Sequence, residues 1–508
     1  MKINLLELLE ETVNRYPAKK AVIDGDRNIT FGELSCKTDT IAWYLHCKFK
    51  CKNKPFAVFL PKCIDAIIAN IGIAKSGNAF MNLDIKTPAQ RIGNILELIE
   101  PAAIITDNKN LNLIKDIVGS TPVILIEDMD WETKTDSEVV SHLKDTIIDT
   151  DPFCIINTSG STGTPKGVAL CHLNFLDFLY RSQEAFAFSQ NEIIGSLSPI
   201  VFDIYVFELC LLMSNSATLV LLPAQLSAFP AKILQIIQDK KVSFIFWVPT
   251  IMVNIANMGL LNKFELPDLK LVWFAGEVFP TKQFNIWKRA LTHVKFANLY
   301  GPIETALDSI FYIVNRDIPD DEPLPIGFAY KNTDILLLDE ENKAVKKPGK
   351  EGEICVRGSS LALGYYNNPE KTAAAFVQNP LNNHYPERIY RTGDIATINE
   401  LGEIVFRGRK DSLIKHQGYR IELGEIEHVI VNTLHLVKNG CIVYHYQNKE
   451  ITLFYENPNE ISAADFRKAL SLELPKYMIP TIFNKVEQLR RNTNGKIDRL
   501  YYKNLVNE

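Results

Sequence analysis

Short apolar runs of five to seven residues alternate with helix-spaced patterns over most of this chain, and that alternation constrains the fold more than any other feature. "FAVFL" (56–60) precedes "CIDAIIANIGIAKSG", whose apolar positions suit a helix ending at Gly77. "AAIIT" (102–106), "PVILI" (122–126), "ATLVLLP" (217–223) and "SFIFW" (243–247) read as buried strands. Strands that alternate with helices pack as layers, so the pattern predicts an α/β fold with largely parallel sheets. The longest apolar stretch, "SFIFWVPTIMVNIANMGLL" (243–261), is almost long enough to span a bilayer. Pro249, Asn254 and Asn257 interrupt it, so a buried strand followed by a buried helix is the better reading.

The pattern changes at about residue 325. "TDILLLDEENKAV", "GEICVRG" and "GEIVFRGRKD" are short strands separated by turn signals, which predicts a β-rich subdomain over about 325–410. Beyond Asp411 the charge shifts too. Residues 412–508 carry 13 Lys and Arg against 11 Asp and Glu, a net of +2, which leaves −7 for the rest of a chain whose total is −5. A boundary is therefore expected at 411, between a large unit (1–410) and a small one (411–508), in keeping with a length of 508 residues. There is no internal repeat and no low-complexity segment.

Composition narrows the function classes. With 46% hydrophobic and 23% charged residues the chain can build a large core and is too balanced for disorder. A net charge of −5 gives no case for nucleic-acid binding or a membrane surface. Nine cysteines (36, 47, 51, 63, 154, 171, 210, 355 and 441) are scattered without zinc-site spacing, which reads as reduced thiols in a cytoplasmic protein. "MKINLLELLEE" carries acids inside its apolar run, unlike a signal peptide.

One loop promises chemistry. In "DPFCIINTSGSTGTPKGV" (151–168) an apolar strand breaks into a Gly-rich segment. Small residues let backbone N–H groups approach phosphate oxygens. Thr158, Ser159, Ser161 and Thr162 add hydroxyls, Gly160 and Gly163 the close approach, and Lys166 a charge. Pro165 precedes the lysine, so the strict P-loop pattern fails and the loop need not open a helix.

The order of residues in this loop resembles the phosphate loop of the adenylate-forming superfamily: acyl-CoA synthetases, luciferases and the adenylation domains of nonribosomal peptide synthesis. Further matches follow in sequence order. "ITFGEL" (29–34) and "AKSGNAFMNLD" (74–84) look like early structural motifs, although "MNLD" lacks the usual proline before Leu83. "NLYGPIET" (298–305), "GEICVRGSSLALGYY" (352–366), "YRTGD" (390–394), "GRKDSLIKHQGYRIELGEIE" (408–427) and "NTNGKIDR" (492–499) complete the set.

The resemblance implies attack of a carboxylate on the α-phosphorus of ATP, giving an acyl-adenylate and pyrophosphate, then transfer of the acyl group to a thiol. Positioning and charge neutralisation supply most of the catalysis in such chemistry. By resemblance, Glu304 helps hold Mg²⁺, a hard ion that prefers carboxylate oxygens and its own waters. Tyr300 offers a face for adenine and Asn298 an amide for its polar edge. Asp394 would accept the ribose hydroxyls, and Arg409 would support ribose or phosphate. Lys496 would bridge the substrate carboxylate and the phosphate during adenylation. Asp411 falls at the family's hinge, so a mobile C-terminal α+β lid is expected to rotate between an adenylation and a thiol-transfer state. "KHQGYR" (415–420) would face the site in the second state, with Gly418 leaving room for a pantetheine arm.

The substrate branch rests on "FDIYVFE" (202–208), which looks like the amino-acid-activating branch. A carboxylate in an apolar setting is costly unless paired, and the partner of Asp203 would be the substrate's α-ammonium; a helix N-cap is the bland alternative. Carried over by resemblance, the other wall residues are Ile204, Phe207, Phe246, Trp273, Ala275, Leu299, Leu307 and Asp308. Most are bulky, which implies a small side-chain space. Asp308 could read a hydroxyl or a second amine, or point away. "FAGEVFP" (274–280) and the chain's length most resemble D-alanine–carrier protein ligases. Those usually have Cys at Ala275 and Thr at Ile303. No carrier domain is expected after "NTNGKIDR", so the thiol acceptor would be the phosphopantetheine of a separate carrier protein. Two alternatives stay open: an acyl- or aryl-CoA ligase, and a non-catalytic nucleotide-binding relative.

Overall fold

The structure is a computed structural model and describes residues 2–507 except 159–164, 411–412, 458 and 492–496. Two large sheets form most of it. The first has nine strands in the order Phe328–Ala329, Ile310–Ile313, Lys295–Tyr300, Leu271–Phe274, Phe244–Trp247, Ile193–Ser196, Thr218–Leu221, Lys20–Asp24 and Arg27–Thr30. Its central strands are parallel and only the edges are antiparallel. The second has seven, in the order Gly364–Tyr365, Lys166–Cys171, Pro152–Thr158, Ala79–Asn82, Pro55–Phe59, Ile104–Thr106 and Val123–Leu125. It is again parallel except where Pro152–Thr158, Lys166–Cys171 and Gly364–Tyr365 pair antiparallel.

The apolar runs explain the layering. "FIFW" and "LVWF" are buried at every position because helices cover both sheet faces. The helices Ile64–Lys75 and Asp203–Asn215 bury nearly all of their residues and share one core cluster with strands of both sheets. A helix that is apolar all round belongs in such an interior. The stretch 243–261 is a strand (Phe244–Trp247) and a helix (Pro249–Asn257), as its interruptions predict. "ITFGEL" is a helix start: Thr30 caps Phe31–Phe49 and Glu33 returns the bond, a capping box.

The β-rich stretch forms a five-stranded antiparallel sheet, Thr333–Leu338, Gly352–Gly358, Arg388–Ile398 and Phe376–Gln378, with Ile404–Arg409 on the third strand. It is less separate than the sequence predicts. Phe328–Ala329 extends the nine-stranded sheet and Gly364–Tyr365 extends the seven-stranded one. Both short strands cover sheet edges that would otherwise present unpaired backbone groups.

From Leu413 on, the elements are a hairpin (Leu413–His416 with Tyr419–Glu422), a three-stranded sheet of Asn439–His445, Glu450–Glu456 and Ile482–Lys485, and the helices Leu423–His428, Ala463–Leu470 and Arg499–Asn507. Ile414, Ile421, Ile426, Ile442, Leu453 and Phe466 belong to a core cluster whose described members all lie beyond residue 413. A core of its own is what an independently folding unit requires. The expected hinge, Asp411, lies outside the described residues. Among the described residues no helix is long and apolar enough to cross a membrane, and all nine cysteines are free.

Candidate active site

A cavity of about 170 Å³ opens where the two large sheets face each other. Val248, Ala275 and Gly301 line it, each immediately beyond the carboxyl end of a parallel strand of the nine-stranded sheet. Asn82, Leu83 and Thr158 line it from the seven-stranded sheet, and Lys415, Gly418, Tyr419 and Arg420 from the C-terminal hairpin. Carboxyl ends of parallel strands are where open α/β sheets place ligands. The volume is small beside the ~300–1,000 Å³ usual for ligand sites, because the hairpin occupies part of the mouth. Among the sequence-predicted residues, Thr158, Asp203, Ile204, Phe246, Ala275, Leu307, Asp308, Asp394 and Arg409 meet on this one surface.

The Gly-rich segment joins two antiparallel strands, with Thr158 paired to Lys166 across its ends. Lys166 therefore opens a strand, in agreement with the reading drawn from Pro165. Ser159, Gly160, Ser161, Thr162 and Gly163 lie outside the described residues. Lys166 Nζ is 3.1 Å from Glu422 Oε1 and lies 5.5 Å from the centre of the Tyr365 ring. The hydroxyl of that same tyrosine donates to Glu304 Oε1 at 2.8 Å. Arg420 Nη1 donates to both Glu304 oxygens, at 2.8 and 2.6 Å. Glu304 is fully buried. Burial alone would raise its carboxyl, but the Arg420 charge and the Tyr365 hydroxyl outweigh that and hold it below the usual carboxylate range.

Glu304 also fits magnesium. A buried, charged carboxylate demands a cation, and magnesium is commonly held by one or two carboxylates together with substrate phosphates. Among the described residues no group of three or more metal-ligating side chains exists, and in this structure Arg420 is the cation on Glu304.

The residues expected to hold adenosine form a tight polar group. Asp394 accepts from the Tyr300 hydroxyl on one oxygen and from Arg409 on the other. Arg409 also donates to the Thr392 carbonyl at 2.9 Å. Each Asp394 oxygen keeps a further lone-pair direction. Asn298 donates its amide to the Pro325 carbonyl at 2.8 Å, so its free polar atom is the carbonyl oxygen. The Lys415 ammonium lies 5.5 Å from the centre of the Tyr300 ring. That ring does not line the cavity in this hairpin position.

Asp203 is the first residue of the helix Asp203–Asn215, whose N-cap is Phe202. Its Oδ1 accepts from the Ile204 N–H at 2.9 Å. Among the described residues it makes no ion pair. Burial pushes its carboxyl up to about 6, against the opposing pull of the Ile204 N–H and Lys415. Asp308 is among the residues that line the same cavity. It is 3% exposed and its Oδ2 has no hydrogen-bond partner. Burial, then the neighbouring Asp203 charge, push its carboxyl far above the usual range.

Three expected wall residues stand back from the cavity: Phe207, Trp273 and Leu299 are buried behind its lining. Trp273 is the reason. It stacks on Phe207 (centroids 5.3 Å apart, planes 8° apart) and meets the rings of Phe186, Phe188, Phe244 and Phe246 edge-on at 4.6–5.4 Å. This aromatic layer fills the space that the carried-over pattern assigns to substrate.

The sequence reading missed the charged contacts of the hairpin and the helix after it. Arg420, Glu422 and Glu425 pair with Glu304, Lys166 and Arg91 in turn. Glu277 of "FAGEVFP" accepts from the Gly418 N–H at 2.9 Å and from the Thr250 N–H at 3.2 Å, with Lys449 3.5 Å away. The signal was present as the charge alternation in "RIELGEIE", but its partners lie in distant segments. Lys496 lies outside the described residues.

Comparisons with known proteins agree with this geometry. A family profile described as AMP-binding enzyme matches residues 9–366. A component of the mycosubtilin synthase of Bacillus subtilis is 32% identical over 504 residues, 97% of this chain and 19% of that protein. Tyrocidine synthase 1 of Brevibacillus parabrevis is 30% identical over 97% of this chain and 44% of its own length, so the chain spans less than half of these relatives. Zwittermicin A synthase ZmaJ of Bacillus cereus is 30% identical over 98% of this chain and 94% of its own. The Vibrio cholerae adenylation domain AlmE, solved in complex with glycyl-adenosine-5'-phosphate, superposes with a TM-score of 0.86 at 21% identity, over 99% of this chain and 98% of that one. That likeness shows the fold. With more than two thirds of its length matched by the profile, the chain belongs to the AMP-binding enzyme family.

Proposed function

We propose that the chain activates a small amino acid with ATP, as an aminoacyl-adenylate, and passes the aminoacyl group to the phosphopantetheine thiol of a separate carrier protein. The observation that carries the amino-acid reading is Asp203: a carboxylate on the cavity wall with no ion-pair partner among the described residues. Such a group is costly unless a cation arrives, and the α-ammonium of an amino acid is that cation. A fatty or aryl acid would leave it unpaired. The Trp273 aromatic layer limits the side chain to a compact one.

In this reading Asp203 anchors the ammonium and so fixes the substrate carboxylate for attack on the α-phosphorus. Asp394 and Arg409 hold ribose, Asn298 and Tyr300 the adenine, and Lys166 with the 158–163 segment the β- and γ-phosphates. Lys496 neutralises the charge that develops at the α-phosphate. Magnesium, held by Glu304, would supply further neutralisation of the phosphate oxygens. The small unit beyond Asp411 would act as the lid, a reading supported by Lys415, Gly418, Tyr419 and Arg420 lining the cavity. The solved structure of AlmE in complex with glycyl-adenosine-5'-phosphate supports the reading as a fold that accommodates such a molecule.

An ATP–pyrophosphate exchange panel over amino, fatty and aryl acids tests this. Exchange should rise with one or a few small amino acids and collapse in Lys496→Ala while ATP binding persists. Exchange with fatty or aryl acids alone would replace the reading by a CoA ligase. Near-normal exchange in Lys496→Ala would remove that residue's role.

A further inference from the structure

The segment that carries Asp203 to the cavity wall is held by side chains of the opposite sheet. The strand Ile193–Ser196 ends and the helix Asp203–Asn215 begins with residues 197–202 as irregular chain between them. Val201, Phe202, Asp203 and Ile204 line the cavity. Carbonyls in such a stretch need partners from elsewhere. Lys62, just beyond the strand Pro55–Phe59 of the seven-stranded sheet, supplies them: its Nζ donates to the Ser196 carbonyl at 2.6 Å and to the Ser198 carbonyl at 2.9 Å. Asn82, at the end of the neighbouring parallel strand, donates to the Ile200 carbonyl at 3.2 Å.

The helix closes the arrangement from its own side. Glu208 Oε2 accepts from the Ser196 hydroxyl at 2.5 Å, and that hydroxyl oxygen is 3.3 Å from Lys62 Nζ. Glu208 and Ser196 are fully buried. Burial pushes the Lys62 ammonium down to about 8, with Glu208 and Asp24 pulling the other way, and pushes the Glu208 carboxyl up. Such a buried charge pair is weak grounds for stability, because apolar side chains of similar volume often serve as well. What apolar side chains cannot do is bond the two carbonyls that set the path of the chain toward Asp203.

We propose that Lys62 is a positioning residue for the substrate ammonium: with Glu208 it locks the 196–202 segment and so sets where the Asp203 carboxylate stands. The proposal rests on the amino-acid reading of Asp203. A binding group has to be held to within about 0.5 Å of its productive place, by neighbours whose own conformations are locked. Lys62, Ser196, Ser198 and Glu208 do not line the cavity, so their influence on an amino acid would pass through the segment. ATP, placed in this reading on Asp394, Arg409 and Lys166, would not feel it.

Steady-state ATP–pyrophosphate exchange on the whole chain, with the best amino acid of the panel, tests this in Lys62→Met and in Lys62→Met/Glu208→Gln. The double variant removes both charges, so no buried charge is left unpaired, and thermal unfolding reports whether each variant is folded. In the folded variants the KM for the amino acid should rise by about 10- to 100-fold, as a misplacement of about 1 Å can cost, while the KM for ATP changes by less than about twofold. An unchanged amino-acid KM in the folded double variant overturns the proposal, and so does an equal rise in both KM values. Loss of folding in the double variant also overturns it, since the contact then serves stability. Failure of the amino-acid reading shows separately, as a panel in which no amino acid supports exchange by the unsubstituted protein.

Discussion

Replacing Gly418 by Ala tests whether the hairpin's docked position belongs to only one half-reaction. Gln417 and Gly418 form the two-residue turn of the hairpin, and both have positive φ, 53° and 82°. That is the primed turn whose twist suits a β-hairpin. A Cβ at Gly418 would stand 2.7 Å from Val248 Cγ1 and 3.0 Å from Phe202 Cε2. Two penalties follow, and they act differently. The left-handed backbone conformation strains alanine by about 1 kcal/mol whether or not the hairpin is docked. The collision with Val248 and Phe202 exists only when it is docked, and overpacking of this kind costs about 1–3 kcal/mol. At about 1.4 kcal/mol per factor of ten, the docked population falls by about 5- to 150-fold. Single-turnover loading of a carrier thiol should slow by that factor, while amino-acid-dependent ATP–pyrophosphate exchange should change by less than about twofold, since its state lacks the collision. Equal losses in both assays, or none in either, would refute the assignment of this hairpin position to thiol transfer.

Asp203→Asn should lower kcat/KM for amino-acid-dependent exchange by about 30-fold or more, the usual cost of leaving a buried charge unpaired. In the unsubstituted protein the same carboxyl, pushed up to about 6 by burial, must be ionised to hold an ammonium. Amino-acid affinity should therefore be full above that pH and decline as the pH falls through it, an acid limb that the Asn variant loses. Glu277→Gln should weaken the contacts with Gly418 and Lys449 and slow thiol loading several-fold while exchange is kept.

Much of the fold was legible because it is written in local periodicity. The apolar runs at 56–60, 102–106, 122–126, 217–223 and 243–247 each contain a strand, and the helix after "FAVFL" ends at Lys75, close to the predicted Gly77. The lining of the cavity was legible where one short segment carries it: Gly301, Pro302 and Ile303 of "NLYGPIET" and Asp203 and Ile204 of "FDIYVFE" meet there. What stayed hidden depends on segments far apart in the chain. Arg420 reaches Glu304 across 116 positions and Arg91 reaches Glu425 across 334, and no pattern in "RIELGEIE" names those partners. The depth of the pocket was hidden for a similar reason. Ile204 and Phe207 share a helix face, yet only Ile204 reaches the cavity, because a tryptophan from a neighbouring strand stacks on the other.

That tryptophan ties substrate choice to folding. Trp273 is fully buried, and its ring contacts run through the core that joins the two large sheets. Deepening the pocket means removing volume from that core, and truncating a buried tryptophan costs about 3–5 kcal/mol, a large fraction of the ~5–15 kcal/mol that holds a domain folded. In the proposed reading, changes at Ile204, Ala275 or Leu307, which line the cavity, alter its shape without cutting into that layer. To accept a large side chain the protein must first acquire stability elsewhere, so the aromatic layer acts as a brake on the evolution of its specificity.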